Sequence, residues 1–135
     1  MKPLTLTAAE VRAVLADDGC VTVWRAMKQQ PEPCPWPIGS EVWVRETFRY
    51  WGWGVGPDGG CLTIQFEHDR GQMQVRDVGQ IKVRNLFEVV REGRWRSPQT
   101  MPRWASRLHL RVVSVAVEHR EGVWGWVVTG ERVPA

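Results

Sequence analysis

The stretch EVWVRETFRYW, residues 41–51, decides the fold class, because its residues alternate with the period of two expected of a strand. The alternation places Val42 and Val44 on one face and Trp43 and Arg45 on the other. We therefore predict a strand over residues 41–51.

Further strands are predicted on both sides of this stretch. Upstream, VTVWRAM (21–27) is rich in β-branched residues and precedes a proline-rich loop at 29–40. Downstream, GPDGG at 56–60 signals a turn, and CLTIQF (61–66) places its apolar residues at period two, which predicts a hairpin. The remaining predicted strands are 73–78, 81–90, 108–117 and 123–129, with turns at 68–72 and 92–94.

One helix is predicted, near the start of the chain. Thr7 and Glu10 have the spacing of a capping box. Gly19 is the expected stop of this helix. Its apolar face is formed by Val11, Val14 and Leu15. Short strands at close spacing and one early helix predict a mainly β (α+β) fold, a small β-barrel with one N-terminal helix, as a single domain over residues 1–135.

Length and motifs limit the class of protein. No window of the chain holds about 18 uninterrupted apolar residues, and the N-terminus lacks a basic region followed by an apolar one. We expect a cytoplasmic protein without a membrane partner. The three cysteines are widely spaced, and the common nucleophile, metal, phosphate-loop and dinucleotide motifs are absent, so no metal and no cofactor are expected.

Charge and aromatic content indicate a nucleic-acid ligand. Residues 70–120 carry 11 basic and 4 acidic side chains, and 15 of the 18 basic residues of the chain are arginine. The chain also holds nine tryptophans. Arginines interleaved with aromatic rings are typical of proteins that neutralise phosphates and stack bases. An arginine-rich coding bias would produce the same charge and remains an alternative.

Two short stretches carry candidate chemistry. In VRET, residues 44–47, Arg45 and Glu46 fall on opposite faces of the predicted strand, so one of them points into the interior, where a charge must be paired. Glu46 is either half of a structural ion pair or a functional carboxylate.

The second stretch is MPRWASR, residues 101–107. If it turns helically, Arg103 and Arg107 share one face, with the hydroxyl of Ser106 nearby, and this face could hold a phosphate. The alternative is a structural corner in which Trp104 closes the barrel and the arginines pair with Glu46 or another acid.

Four segments carry a resemblance to a known family. They are VRAVLADDG (11–19), GSEVWVRETF (39–48), WRSPQTMPRWASR (95–107) and VWGWVVTGERV (123–133). In these segments the chain resembles the ASCH-domain proteins of phages and prophages, relatives of the PUA-like β-barrels. The resemblance is collinear over nearly the whole chain and implies a small β-barrel with a cleft for RNA or a modified nucleoside.

The family also contains amidohydrolases acting on acylated cytidine, which use a lysine and a threonine after the first helix and a later glutamate. The chain departs from them twice. Residues 17–22 read DDGCVT, so the lysine is missing and only Thr22 or Cys20 can stand for the threonine; Arg25 matches a following arginine. Only residues 118–122 separate the last two predicted strands, where relatives often insert an acidic helix.

These observations predict an RNA- or nucleoside-binding domain of phage or prophage origin. Its predicted ligand contacts are Arg25, Trp43, Arg45, Arg103, Trp104, Ser106 and Arg107. One alternative is a hydrolase acting on RNA or a modified nucleoside, with Glu46 as general acid or base and Thr22 as a positioning hydroxyl. The other is a phage inhibitor of a host defence system that contacts a host protein.

Overall fold

The computed structural model describes residues 1–16, 18–28, 33–56, 59–75 and 86–134. The predicted mainly β (α+β) class is confirmed. The chain divides into two compact units, Met1–Val44 with Leu108–Ala135, and Arg45–Arg107. The assignment of a single domain stays a prediction, because compact units of this kind also occur within one folding domain.

The first unit is built on an antiparallel sheet. Its described strands lie in the order β1 (Lys2–Thr5), β3 (Glu41–Arg45), β7 (His109–Arg120), β8 (Val123–Arg132) and β2 (Cys20–Ala26). The sheet forms because its strands bury alternating apolar residues in a common core, such as Val21 and Val23 of β2 and Val42 and Val44 of β3. The strands predicted at 21–27, 108–117 and 123–129 are thereby confirmed.

Helix α1 (Ala8–Leu15) follows β1 and begins at the predicted capping box. The Thr7 hydroxyl accepts from the Glu10 N–H at 3.3 Å, and the Glu10 carboxylate accepts from the Thr7 N–H at 2.9 Å. The helix ends before Gly19, at Leu15, and Gly19 lies in the following turn with φ +64°. One hydrophobic core contains residues of the helix, of the strands and of the segments next to them: Leu4, Leu6, Val11, Val14, Val21, Val23, Val42, Val44, Leu108, Leu110, Val112, Trp126 and Val128.

The second unit contains a sheet in the order β4 (Phe48–Gly56), β5 (Gly59–Phe66) and β6 (Gln72–Val75). The predicted hairpin is confirmed, since β4 and β5 pair antiparallel from Phe48↔Phe66 to Gly56↔Gly59. Two 3₁₀ turns, Pro98–Thr100 and Arg103–Ala105, follow helix α2 (Leu86–Glu92). Among the described side chains of this unit, the buried apolar ones are Phe48, Tyr50, Leu62, Ile64, Phe66, Met101 and Ala105.

Two predicted strands need correction. The strand predicted over 41–51 is interrupted at Glu46 and Thr47, which separate β3 from β4. The segment predicted as a strand at 81–90 is helical from Leu86, because leucine, glutamate and arginine favour a helix, and Gly93 at φ +58° ends it. Residues 81–85, 76–78, 57–58 and 29–32 of the predicted elements lie outside the described residues.

The barrel and the single helix also need correction. Pairing among the described strands gives two separate sheets and no closed barrel, and α2 is a helix that the sequence patterns did not predict. Neither α1 nor α2, the two α-helices in the described part of the chain, has the length and apolar character needed to cross a membrane.

Candidate functional site

Arg107 is bound by two carboxylates within the second unit. Its Nε donates to Glu46 Oε2 and its Nη2 to Glu46 Oε1, both at 2.9 Å. Its Nη1 donates to Asp69 Oδ2 at 3.0 Å. Glu46 is 3% exposed, and the Arg107 side chain is mostly buried. The pairing of Arg107 with Glu46, expected of the structural alternative, is therefore present.

Arg107, Glu46 and Asp69 form a triad, and its contacts shift the pKa values of Asp69 and Arg107. Burial alone would raise the pKa of Asp69, but hydrogen bonds from Arg107 and the Gly71 N–H, with the arginine charge, lower it. Burial alone would lower the pKa of Arg107, whereas its bonds to Glu46 and Asp69 raise it. The guanidinium also lies 4.2 Å from the centroid of the Phe66 ring. Arg107 is thus a permanent cation between two acceptors.

Gly71 makes room for the triad. A Cβ at this position would lie 2.7 Å from Arg107 Nη1 and 2.9 Å from Asp69 Oδ1. The Gly71 N–H donates to Asp69 Oδ1 at 2.9 Å, and its carbonyl accepts from the Phe66 N–H at 2.9 Å. Asp69 therefore reaches Arg107 from a turn in which any residue other than glycine at position 71 would displace one of these two side chains.

A second cluster, which we call the arginine–tryptophan cluster, comprises Arg49, Trp51, Arg70 and Trp95. The Arg49 Cζ lies 3.8 Å from the Trp51 ring centroid and 4.2 Å from that of Trp95. The Arg70 Cζ lies 4.8 Å from the Trp95 centroid. Guanidinium groups over indole faces are favourable cation–π pairs, and they hold both partners in place.

Hydrogen bonds fix Arg49 in this cluster. Its Nε donates to Gln65 Oε1 at 2.7 Å, and its Nη1 donates to the Gly93 carbonyl at 3.1 Å. Gln65 is buried, and its Nε2 donates to the Arg70 carbonyl at 3.4 Å. Trp51 is 45% exposed, so part of its indole is open to a ligand.

The β5–β6 turn connects the triad to the arginine–tryptophan cluster. Asp69 and Arg70 are neighbours in this turn, and their side chains go to Arg107 and Trp95 respectively. Arg70 has φ 58°, a left-handed conformation that is rare outside glycine and needs support from its surroundings. The triad supplies such support, because it anchors the residue directly before Arg70.

The predicted residues Arg103 and Trp104 lie in the 3₁₀ turn Arg103–Ala105. Trp104 is 36% exposed, with its ring 6.3 Å from that of Tyr50. The Arg96 Cζ lies 5.3 Å from the Tyr50 centroid. Burial raises the pKa of Tyr50, and the charge of Arg96 opposes this rise. Trp104 combines packing against Tyr50 with an accessible surface, so it does not plug an interior.

Arg25 performs a structural task within the first unit. Its Nη1 and Nη2 donate to the two oxygens of Glu10 at 3.2 and 2.8 Å. The same nitrogens donate to the carbonyls of Trp24 at 2.9 Å and Thr5 at 2.6 Å. Burial alone would raise the pKa of Glu10, yet its bonds to Arg25 and Thr7 lower it. Arg25, on β2, therefore forms hydrogen bonds to both α1 and β1, through Glu10 and the Thr5 carbonyl.

Of the other predicted residues, Thr22 and Trp43 belong to the first unit, and Arg45 and Ser106 belong to the second. Thr22 is exposed on β2, with its hydroxyl 2.9 Å from that of Thr129 on β8. Trp43 is 9% exposed on β3, which leaves little of its ring for a base. Arg45 ends β3, and Ser106 follows the 3₁₀ turn with its N–H bonded to the Arg103 carbonyl at 3.1 Å. The positioning role of Thr22 and the ligand contacts of Trp43, Arg45 and Ser106 stay predictions.

The sequence analysis did not single out Arg49, Trp51, Arg70 and Trp95. The count of tryptophans and arginines was the available signal, but Trp51 and Trp95 are far apart in sequence, and the fold brings both rings to Arg49. Among the described residues, no group of three or more histidine, cysteine or acidic side chains is arranged to hold a metal ion.

Comparison of the chain with protein-family models, with curated proteins and with solved structures found no match. The resemblance to the ASCH-domain family therefore stays a prediction that rests on the quoted segments.

Proposed function

We propose that the chain binds single-stranded RNA or a nucleoside of similar chemistry through the arginine–tryptophan cluster. The observation that carries the proposal is the contact of Arg49 with both Trp51 and Trp95, whose ring centroids lie 3.8 and 4.2 Å from its Cζ. Exposed indoles stack on bases, and adjacent guanidinium groups attract phosphates. The resemblance to the ASCH-domain family motivates RNA as the preferred nucleic acid.

The cluster has the rigidity that stacking requires. Arg49 is held by Gln65 and Gly93, and the turn carrying Arg70 is anchored through Asp69. A base that stacks on Trp51 meets a ring already fixed by its contact with Arg49, so little side-chain entropy is lost on binding. Trp104 and the exposed Arg103 offer a second contact of the same chemistry.

Glu46 and Arg107 have a supporting role in this proposal. Both oxygens of Glu46 accept hydrogen bonds from Arg107, so acid or base chemistry at this carboxylate would first require the pair to separate. The hydrolase and the host-inhibitor functions stay predictions, and no contact described above favours either. A cytoplasmic location, expected from the sequence, is part of this proposal.

The test measures binding of fluorescent single-stranded RNA, single-stranded DNA and duplex RNA of matched sequence at two salt concentrations. We expect RNA binding that weakens as salt rises, because arginine contacts release counterions from phosphates. Trp51→Ala should weaken binding by about tenfold, since one stacked base contributes about 1–3 kcal/mol. The matched control is Trp124→Ala, because Trp124 is 42% exposed on a strand of the first unit.

A binding loss confined to Trp51→Ala supports the proposal, provided that circular dichroism shows an intact fold in both variants. Equal losses in both variants, or no loss in either, would contradict the assignment to this cluster. Acylated cytidine, followed by quenching of tryptophan fluorescence, separates a nucleoside ligand from a polymer. Absence of binding to all of these ligands at low salt would overturn the proposed function.

A further inference from the structure

Strand β7 is longer than β3, the strand that pairs with one of its two edges. On one side it pairs with β8 as far as Arg120↔Val123. On the other side β3 pairs with β7 only up to Glu41↔Arg111, and two further bonds join Val112 to Ser40 and Gly39. Among the described residues, no strand pairs with this edge beyond Val112.

The open edge is regular and exposed. A bulge at residue 113 separates it from the part covered by β3, and the ladder with β8 runs without further shifts from Ser114↔Thr129 to Arg120↔Val123. Every residue of this part of β7 is exposed except the half-buried Val115. The backbone N–H and C=O groups of such an edge are a template for another strand.

The edge also continues the apolar face of the sheet beyond the core. Val115 and Val117 lie opposite Val128 and Trp126, both of which are buried. Residues directly opposite in a ladder share one face, so Val117 belongs to the core face. It is nevertheless 58% exposed, the largest exposure among the valines of this hairpin.

We infer that this edge of β7, residues 114–120, is a dimer interface that pairs antiparallel with the same edge of a second copy of the chain. A two-fold axis through Val117 uses the whole regular segment, because Val117 is its midpoint. The pairing places Val117 opposite Val117 of the second copy and Val115 opposite His119 of the second copy. The exposed apolar face is thereby covered.

Charge is compatible with this register. Glu118 and Arg120 form an ion pair at 2.9 Å within each chain, so each copy brings a compensated charge to the interface. The register sets Glu118 against Ala116 and Arg120 against Ser114, and no like charges lie directly opposite each other. A second copy therefore fits the edge in backbone hydrogen bonding, apolar surface and charge. The interface does not depend on the proposed ligand.

The first experiment is sedimentation velocity of the nuclease-treated full chain over a wide range of protein concentration. We expect a monomer–dimer equilibrium that Val117→Lys shifts by at least about tenfold toward monomer, because two lysines would then face each other across the axis. Val113→Lys is the matched control, since Val113 is an exposed valine of the same strand that lies outside the regular ladder.

A crosslinking experiment tests the register. The thiols introduced by Val117→Cys lie opposite each other in the dimer and should form an intermolecular disulfide under mild oxidation. Those introduced by Val113→Cys would be about 27 Å apart and should not. A wild-type monomer at all concentrations would overturn the inference. A dimer that resists Val117→Lys, with no preferential crosslink at position 117, would also overturn it.

Discussion

Arg107 and Glu46 form a buried, bidentate ion pair, with both N···O distances at 2.9 Å. The two residues come from stretches that the sequence analysis had singled out separately. Asp69 joins them from a turn that had shown no sign of function. The three residues therefore connect the segment just before β4, the β5–β6 turn and the end of the second unit.

Arg107→Ala should strongly destabilise the protein, because Glu46 would remain buried without its partner. Loss of one member of a buried pair costs about 3–5 kcal/mol, whereas an exposed pair contributes about 1 kcal/mol or less. The measurement is the free energy of unfolding in urea. Arg111→Ala is the control, since Arg111 forms an exposed pair with Glu41 at 3.3 Å. Equal losses in the two variants would mean that burial of the Glu46 pair has no special role.

Acid should destabilise the fold through Glu10 and Asp69. Their pKa values are lower in the folded protein than the ordinary values of 4.5 and 3.8, as ionic and hydrogen-bond contacts outweigh burial. Their stabilisation is therefore present above the unfolded pKa values and is lost as the pH falls through the folded ones. Urea unfolding from pH 7 to 3 should show this loss.

Glu10→Gln and Asp69→Asn should each make the decline of stability in acid shallower and lower the stability at pH 7. The exposed Glu131→Gln is the control and should change neither quantity appreciably. An unchanged acid slope in both Glu10→Gln and Asp69→Asn would contradict the proposed origin of the pH dependence.

Gly71→Ala should displace the Arg107 guanidinium from Asp69, because the new methyl group would lie 2.7 Å from Nη1. Overpacking of this kind costs about 1–3 kcal/mol, visible as a lower thermal midpoint. Gly54→Ala serves as the comparison, since a Cβ there meets no atom of the described residues within 4 Å. Similar midpoints for the two variants would show that Arg107 relaxes without cost.

Arg25→Ala should lower stability by about 1.5–3 kcal/mol, the usual loss for a hydrogen bond to a charged group. It should leave RNA affinity unchanged, because its guanidinium contacts Glu10 and the carbonyls of Thr5 and Trp24. Denaturation and RNA titration of one preparation test both statements. A loss of affinity with unchanged stability would restore Arg25 to the ligand site predicted from the sequence.

Local patterns predicted the elements whose structure depends on neighbouring residues. The capping box of Thr7 and Glu10 and the hairpin of β4 and β5 need only short-range interactions, and both were confirmed. The prediction at 81–90 was wrong from Leu86 onward because a short apolar run fits a strand and a helix equally well. The described strands pair in two sheets without closing a barrel. Local alternation could not decide closure, because it does not encode strand pairing over long sequence separations.

The sequence by itself determined the mainly β class, the position of α1 and the presence of a buried charge near Glu46, since these follow from periodicity, capping and the cost of an unpaired charge. Only the tertiary structure decided which cation pairs with Glu46 and which rings contact Arg49. Arg107 is separated from Glu46 by 61 positions in the sequence, and Trp95 is likewise distant in sequence from Arg49. Such contacts depend on how the chain folds back on itself, which no local pattern specifies.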